Sequence, residues 1–347
     1  MYLEVDPRGD TLITLQDPNP SSPSDTAKEA ASDIQFLVSK KHLVLASPRA
    51  GKVLEGSFKE ATPGEDGLFH WKFEPIFDTK AFETVMKIIH GQTRGISSKI
   101  SLPLLAQITA IVDDLECHNA VWFFAKGWIS QIKNQIPWEI CEDLMRWILI
   151  SYVFEQSKLF TQVTATAIRY STDVIPDFNL PIRPKVLEGI RVKRENIFQN
   201  LVGLLHGLED QLLGQSIGCN QGCRAMMLGT LSQGLRSSSL LPFPSSPYIS
   251  LSISSTLQKL RATESLDYYC TSQESTSQKE TLTWTLQMDS LTRRRLISSG
   301  QCNEETIQKA PLELVRDNCR LEHHLNILLN TTNSEIQGLE LAKYLDV

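Results

Sequence analysis

A chain of 347 residues with 41% hydrophobic and 21% charged side chains has the make-up of a globular protein of about two domains, long enough to bury a sizeable core. Its net charge of −6 argues against nucleic-acid binding, which needs a cationic surface to meet phosphates. The longest apolar stretch, around Trp147 to Phe154, is far short of the ~20 residues of a membrane span. The opening Met1-Tyr2-Leu3-Glu4-Val5-Asp6 lacks the basic start and apolar core of a secretory leader. The seven scattered cysteines therefore read as reduced thiols rather than a disulfide framework, and the expected compartment is intracellular, cytoplasm or nucleus.

In chain order, Val5 to Asp10 is a turn signal, and Thr11-Leu12-Ile13-Thr14-Leu15 alternates like a half-buried strand. Residues 17–32, rich in Pro, Ser and Asp, read as a flexible insertion between strands. A β-prone piece then ends at Val38 and passes into a segment carrying Leu43 and Leu45. Ser47-Pro48 restarts a helix through Val53 and Leu54, with Ser47 as cap and Pro48 at the first helical position, where its missing N–H has no partner to lose. Leu43, Leu45, Val53 and Leu54 are expected to be buried together beside Phe82 and Ile89, so that Leu45→Asp would cost several kcal/mol. Leu68 to Phe73 alternates again, and Asp78 caps a helix whose Phe82, Val85, Met86 and Ile89 recur at helical spacing before His90-Gly91 ends it. Leu104, Leu105, Ile108, Ile111 and Val112 follow, with Trp122 to Trp128 beyond.

The run from Phe36 to Glu60, with Val38-Ser39, Lys41-His42-Leu43, Leu45-Ala46-Ser47-Pro48 and Phe58-Lys59-Glu60, resembles the signature of BTB/POZ domains in the form typical of filamentous fungi. Gly9-Asp10 with its following strand is similar to the family's opening, Ile88-Ile89-His90-Gly91 to the close of its central helix, and residues 104–128 to its terminal helical pair. The resemblance covers about the first 130 residues. It implies a fold of the α+β class, a short mixed sheet flanked by helices, and a module that binds proteins. It also implies a homodimer through the first helices and the N-terminal strand. Arg49-Ala50 stands where the family usually has a large apolar pair, which points to a monomer or a weak homodimer. A cullin scaffold would be a partner if the chain were a ubiquitin-ligase adaptor, yet Ile100-Ser101-Leu102-Pro103 lacks the Glu that cullin-binding members usually carry.

The rest reads as helical. Ile140, Leu144, Trp147, Ile148 and Ser151 form one period, and Phe160, Val163, Ala167 and Tyr170 another after Ser157. Ile190, Ile197, Leu201, Leu204, Leu208 and Leu212 come close to a coiled-coil seam, which on a chain of this kind more often marks a core helix. Leu228-Gly229-Thr230-Leu231, the run Phe243 to Leu260 and Gly338-Leu339-Glu340-Leu341 resemble the helices that follow the domain in the same fungal proteins. Thr271 to Lys279 is a Ser/Thr/Gln tract with no apolar face. The expected division is a BTB/POZ-like domain at 1–130, an all-helical post-BTB extension at 131–262, and an irregular, partly helical segment at 263–347.

Gly214-Gln215-Ser216-Ile217-Gly218 fits a nucleophile elbow, and Asp267, Asp289, His323 and His324 follow in hydrolase order. An elbow needs a buried strand before the serine, whereas Leu204 to Leu213 is helical in pattern. Cys219 and Cys223 sit four apart, but a zinc site needs four ligands, His206 is isolated upstream, and no second Cys or His pair lies at a finger-like distance. Ser216, Cys219 and Cys223 are accordingly expected to carry no chemistry. The basic stretch Arg183, Lys185, Arg191, Lys193 and Arg194 reads as a solvated helix face or a dock for an acidic partner, and Arg293-Arg294-Arg295 is too short for a nuclear signal. The sequence assigns no catalytic, cofactor-binding or metal-ligating residue and no cofactor. The expected function is that of a non-catalytic interaction scaffold or adaptor with protein partners. The alternatives are a substrate adaptor for a cullin-type ubiquitin ligase and an enzyme of unknown class.

Overall fold

The computed structural model describes residues 1–16, 33–172, 174–265 and 319–345. The insertion at 17–32, the tract at 271–279, Asp267, Asp289 and Arg293 to Arg295 lie outside them. Among the described residues the chain is α+β, with a small mixed sheet and a majority of helix. It divides into two compact units, residues 1–193 with 337–347, and residues 194–336.

The sheet of the first unit consists of β1 (Tyr2–Glu4), β2 (Thr11–Leu15), β3 (Ile34–Val38) and β4 (Phe69–Phe73) in the order β1-β3-β2-β4. The central pair β2 and β3 is antiparallel, with Ile13 opposite Phe36, and the outer strands run parallel to their neighbours. In β2, Thr11, Leu12, Ile13 and Leu15 are all buried, because a central strand is covered on both faces; the alternation read from the sequence understates this burial. On β4 the alternation holds, with Trp71 and Phe73 buried and His70 and Lys72 exposed.

Two short helices, α1 (Lys40–Ala46) and α2 (Pro48–Glu55), follow β3. Ser47 joins them as foreseen. Its hydroxyl accepts the Ala50 N–H at 2.9 Å and donates to the Leu115 carbonyl at 2.5 Å, so one side chain caps α2 and ties it to a distant helix end. Leu43 and Leu54 are fully buried, but the expectation for Leu45 is wrong: it is 85% exposed, and Val53 is only half-buried. Residues two apart on a helix point to opposite sides, so Leu43 and Leu45 cannot both face the core of α1. The corrected expectation is that Leu45→Asp leaves the denaturation midpoint within about 0.5 kcal/mol of wild type, while Leu43→Asp costs several kcal/mol, as urea titrations of the two variants would register.

Helix α3 (Thr79–Ile89) is capped by Asp78, whose carboxylate accepts the Ala81 N–H at 2.8 Å, and it buries Phe82, Val85, Met86 and Ile89 as its spacing predicts. Gly91 ends it at φ 70°, where a side chain would be strained; its N–H bonds the Ile88 carbonyl, and that of Gln92 the Lys87 carbonyl. His90 then has a structural task. Its Nε2 accepts the Ser39 N–H at 3.0 Å, so Nδ1 carries the proton that it donates to the Met86 carbonyl at 2.8 Å. Burial pushes the His90 pKa down, with His42 nearby acting in the same direction. A depressed histidine pKa means that the unfolded chain takes up the proton first, so this stabilisation is complete above about pH 6.5 and is lost as pH falls below it. His90→Gln, which does not titrate, is expected to flatten the fall in melting temperature of the wild type through that window.

Helices α4 (Leu102–Leu115) and α5 (His118–Ile132) follow, with Ser101 capping α4. Next come α6 (Glu142–Val153), which packs on α4 and is buried around nearly its whole circumference, and α7 (Ser157–Tyr170). The closing residues lie along α7. Thr161 donates to the Leu339 carbonyl at 3.0 Å, and Thr164 accepts the Leu339 N–H at 2.9 Å.

The 30-residue α8 (Pro184–Leu213) contributes its residues up to Lys193 to the first unit and the remainder to the second. In the second unit, α9 (Gln221–Ser237), α10 (Ile253–Arg261) and α11 (Leu321–Glu335) pack on one another. Ile197, Leu201, Leu208 and Leu212 of the seam-like pattern are buried within this single chain, together with Phe198 and Leu205, so the pattern marks a core helix. Among the described residues no helix is long and apolar enough to cross a membrane.

Candidate functional site

Two features stand apart from the ordinary core. The first is built on α5. Val121, Ala125, Trp128 and Ile129 recur at three and four residues and turn inward, which forces Trp122 and Phe123 outward, 41% and 81% exposed. Phe123 meets Phe124 edge-on at 5.7 Å, and Phe124 lies 5.7 Å from Trp128, so the rings form a row. Between this row and residues 96–98 runs a cleft of about 600 Å³, lined by Ile96, Ser97, Phe123, Phe124, Gly127 and Trp128 among others. Its walls are stitched together: Trp128 Nε1 donates to the Ser97 carbonyl at 2.9 Å, and Gln131 Nε2 to the Ser98 carbonyl at 2.9 Å. A single exposed apolar residue is ordinary, but a row of aromatic rings beside a preformed cleft is the usual make-up of a contact surface.

Arg49-Ala50, which offers no large apolar pair, is packed in another way. Ala50 is fully buried, and the Arg49 guanidinium lies 5.9 Å from the rings of both Trp71 and Phe73 while pairing with Asp114. Burial holds the Asp114 carboxyl above its usual range despite the pull of Arg49. Cations of the basic stretch are also engaged: Arg183 pairs with Asp113 at 3.0 Å, and Arg191 with Glu188 at 2.5 Å. Arg194 is 3% exposed and donates to the carbonyls of Pro247, Tyr248 and Leu251. The expected solvated face is therefore wrong at Arg194; helix periodicity places it on the inner side of α8, four residues before Phe198.

The second feature is a cluster of sulfur atoms. Ser216 follows the end of α8 rather than a strand, and its hydroxyl donates to the Gln211 carbonyl at 2.9 Å, closing that helix end. Gly218 comes next at φ 88°, and a Cβ there would lie 2.8 Å from Arg224 Cγ and 3.4 Å from Cys223 Sγ. Asn220 caps α9 by accepting the Cys223 N–H at 2.8 Å, which fixes Cys223 in the first turn. The Sγ atoms of Cys219, Cys223 and Cys319 all lie within 4.8 Å of one another. Sequence reasoning set the first two aside because no second Cys or His pair lies at a finger-like distance, and the structure supplies one further sulfur, that of Cys319, from a distant part of the chain. No local spacing announces a residue so distant. His206 is not in the group; it stands beside Glu209 and Phe243. Cys117, buried away from the cluster, has its thiol pushed up to about 12 by burial. His323 and His324 lie in the first turn of α11.

No family model, no curated protein and no solved structure matches this chain.

Proposed function

We propose that this chain is a non-catalytic protein-docking module of the BTB/POZ kind, and that a partner protein seats on the aromatic row of α5. The observation that carries the proposal is the outward Trp122 and Phe123 beside the cleft at residues 96–98, on a helix whose other side is anchored in the core. The order of elements supports it too: strand, strand, two short helices, strand, then three helices from β2 to α5 is the order that the sequence resemblance implies. Aromatic anchors of this kind dominate binding energy at protein interfaces, where removal of one costs about 2 kcal/mol or more, roughly a 30-fold rise in Kd.

The test is direct. A protein recovered with tagged wild type is identified, purified and titrated calorimetrically against wild type and Phe123→Asp. The expected result is a Kd for the variant weaker by roughly 30-fold with an unchanged melting temperature, since the ring is solvent-exposed and contributes little to folding. An unchanged Kd would remove the α5 face from the proposal. If light scattering instead finds a dimer that Phe123→Asp dissolves, the partner is a second copy of the chain.

A further inference from the structure

We propose that Cys219, Cys223 and Cys319, once reduced, bind a zinc ion as thiolates. A tetrahedral zinc with Zn–S bonds of about 2.3 Å holds its sulfur ligands about 3.8 Å apart, so three Sγ atoms already within 4.8 Å of one another need only a small closing movement. Two of the three ligands are held in place by local hydrogen bonds. Cys223 is fixed by the Asn220 cap, and the left-handed Gly218 brings the chain back against its sulfur. Cys319 directly precedes α11, and that helix start is clamped by Ser265: the Ser265 hydroxyl accepts the Leu321 N–H at 3.0 Å, while Glu322 accepts both the hydroxyl and the N–H of Ser265. Cys223 and Cys319 are buried and Cys219 is half-buried, an arrangement with two inner ligands and one at the entrance.

Cys219 is disulfide-bonded here, so the expectation of reduced thiols is wrong at this cysteine, and neither Cys223 nor Cys319 is its partner. Beside the disulfide sulfur of Cys219, the Sγ atoms of Cys223 and Cys319 complete a group of three within 4.8 Å of one another. Three sulfur donors at this spacing match the ligand set of a soft metal. A phosphine supplies the two electrons that open the disulfide and becomes the phosphine oxide, with water providing the oxygen and the two thiol protons; binding then releases one proton from each of the three thiols as the Zn–S bonds form. Three thiolates leave the fourth tetrahedral position to a further donor. The proposal is independent of the docking face, which lies in the other compact unit.

The full chain is reduced with a phosphine under nitrogen and titrated with cobalt(II) alone. The expected result is a sulfur-to-cobalt charge-transfer band and strong visible bands that saturate at one equivalent and vanish on addition of one equivalent of zinc. Cys319→Ser is expected to weaken cobalt binding by about tenfold or more, while Cys141→Ala, outside the trio, changes nothing. Alkylation followed by peptide mass spectrometry provides a second reading on the wild type, which decides the matter even if Cys319→Ser does not fold. Zinc should protect Cys219, Cys223 and Cys319, and a fourth protected cysteine would identify the remaining ligand. Absence of the cobalt bands in the reduced protein, equal affinity in Cys319→Ser, or alkylation of the three cysteines at the same rate with and without zinc overturns the proposal.

Discussion

Arg194→Met is expected to destabilise the second unit by about 3–5 kcal/mol, read as a fall in the urea midpoint with little change in slope. The guanidinium is 3% exposed, and its Nη2 donates to the carbonyls of Tyr248 at 2.7 Å and Leu251 at 2.6 Å, with Nη1 reaching Pro247 at 3.2 Å. It also lies 5.1 Å from the Phe198 ring, which stacks on Tyr248. Tyr248 and Ser250 both have positive φ, so this turn adopts a backbone that its own residues do not favour and is held by what it bonds to. Methionine keeps most of the apolar stem but leaves three carbonyls facing a thioether, that of Tyr248 buried and those of Pro247 and Leu251 partly so, each worth about 1–3 kcal/mol before water or relaxation recovers part of it. Arg194→Lys should fall between the two, since a single ammonium cannot match a planar fork aimed at several carbonyls. A loss below about 1 kcal/mol for methionine would mean that the carbonyls find water and that the clasp is not what holds the turn.

Gly338→Ala is expected to cost the first unit about 3 kcal/mol, a fall of roughly 6–12 °C in melting temperature for a unit of this size. A methyl group there would enter the van der Waals envelope of the Thr161 carbonyl and lie 2.7 Å from Thr164 Oγ1. Both obstacles belong to α7, one of them backbone, so nothing flexible can move aside. The same two threonines hold Leu339 by hydrogen bonds, and Leu339 and Leu341 are buried, so displacement of Gly338 would loosen the whole closing segment. Gly95→Ala is the control, because an added methyl there meets nothing within 4 Å. Equal melting temperatures for the two variants would show that the closing segment can shift along α7 without loss.

The sequence by itself determined the features that depend on neighbours within about four residues. The Ser47 and Asp78 caps, the inward side of α3 and the alternation of β4 were all legible, because a helix turn or a strand pleat imposes its period on the residues that form it. Leu45 was misread where that logic was not carried through: once α1 is helical, its phase turns Leu45 away from Leu43. Gly338 was visible as part of a familiar pattern, but the pattern carries no reason; the reason is the close approach of α7, more than 170 residues earlier in the chain. Tertiary structure alone decided that Arg194 is a buried clasp rather than a solvated cation, that residues 96–98 form a cleft beside the α5 rings, and that Cys319 joins Cys219 and Cys223. Each of these depends on partners brought together from distant positions, and periodicity, which records only which side of an element a residue occupies, holds no information about what that side meets.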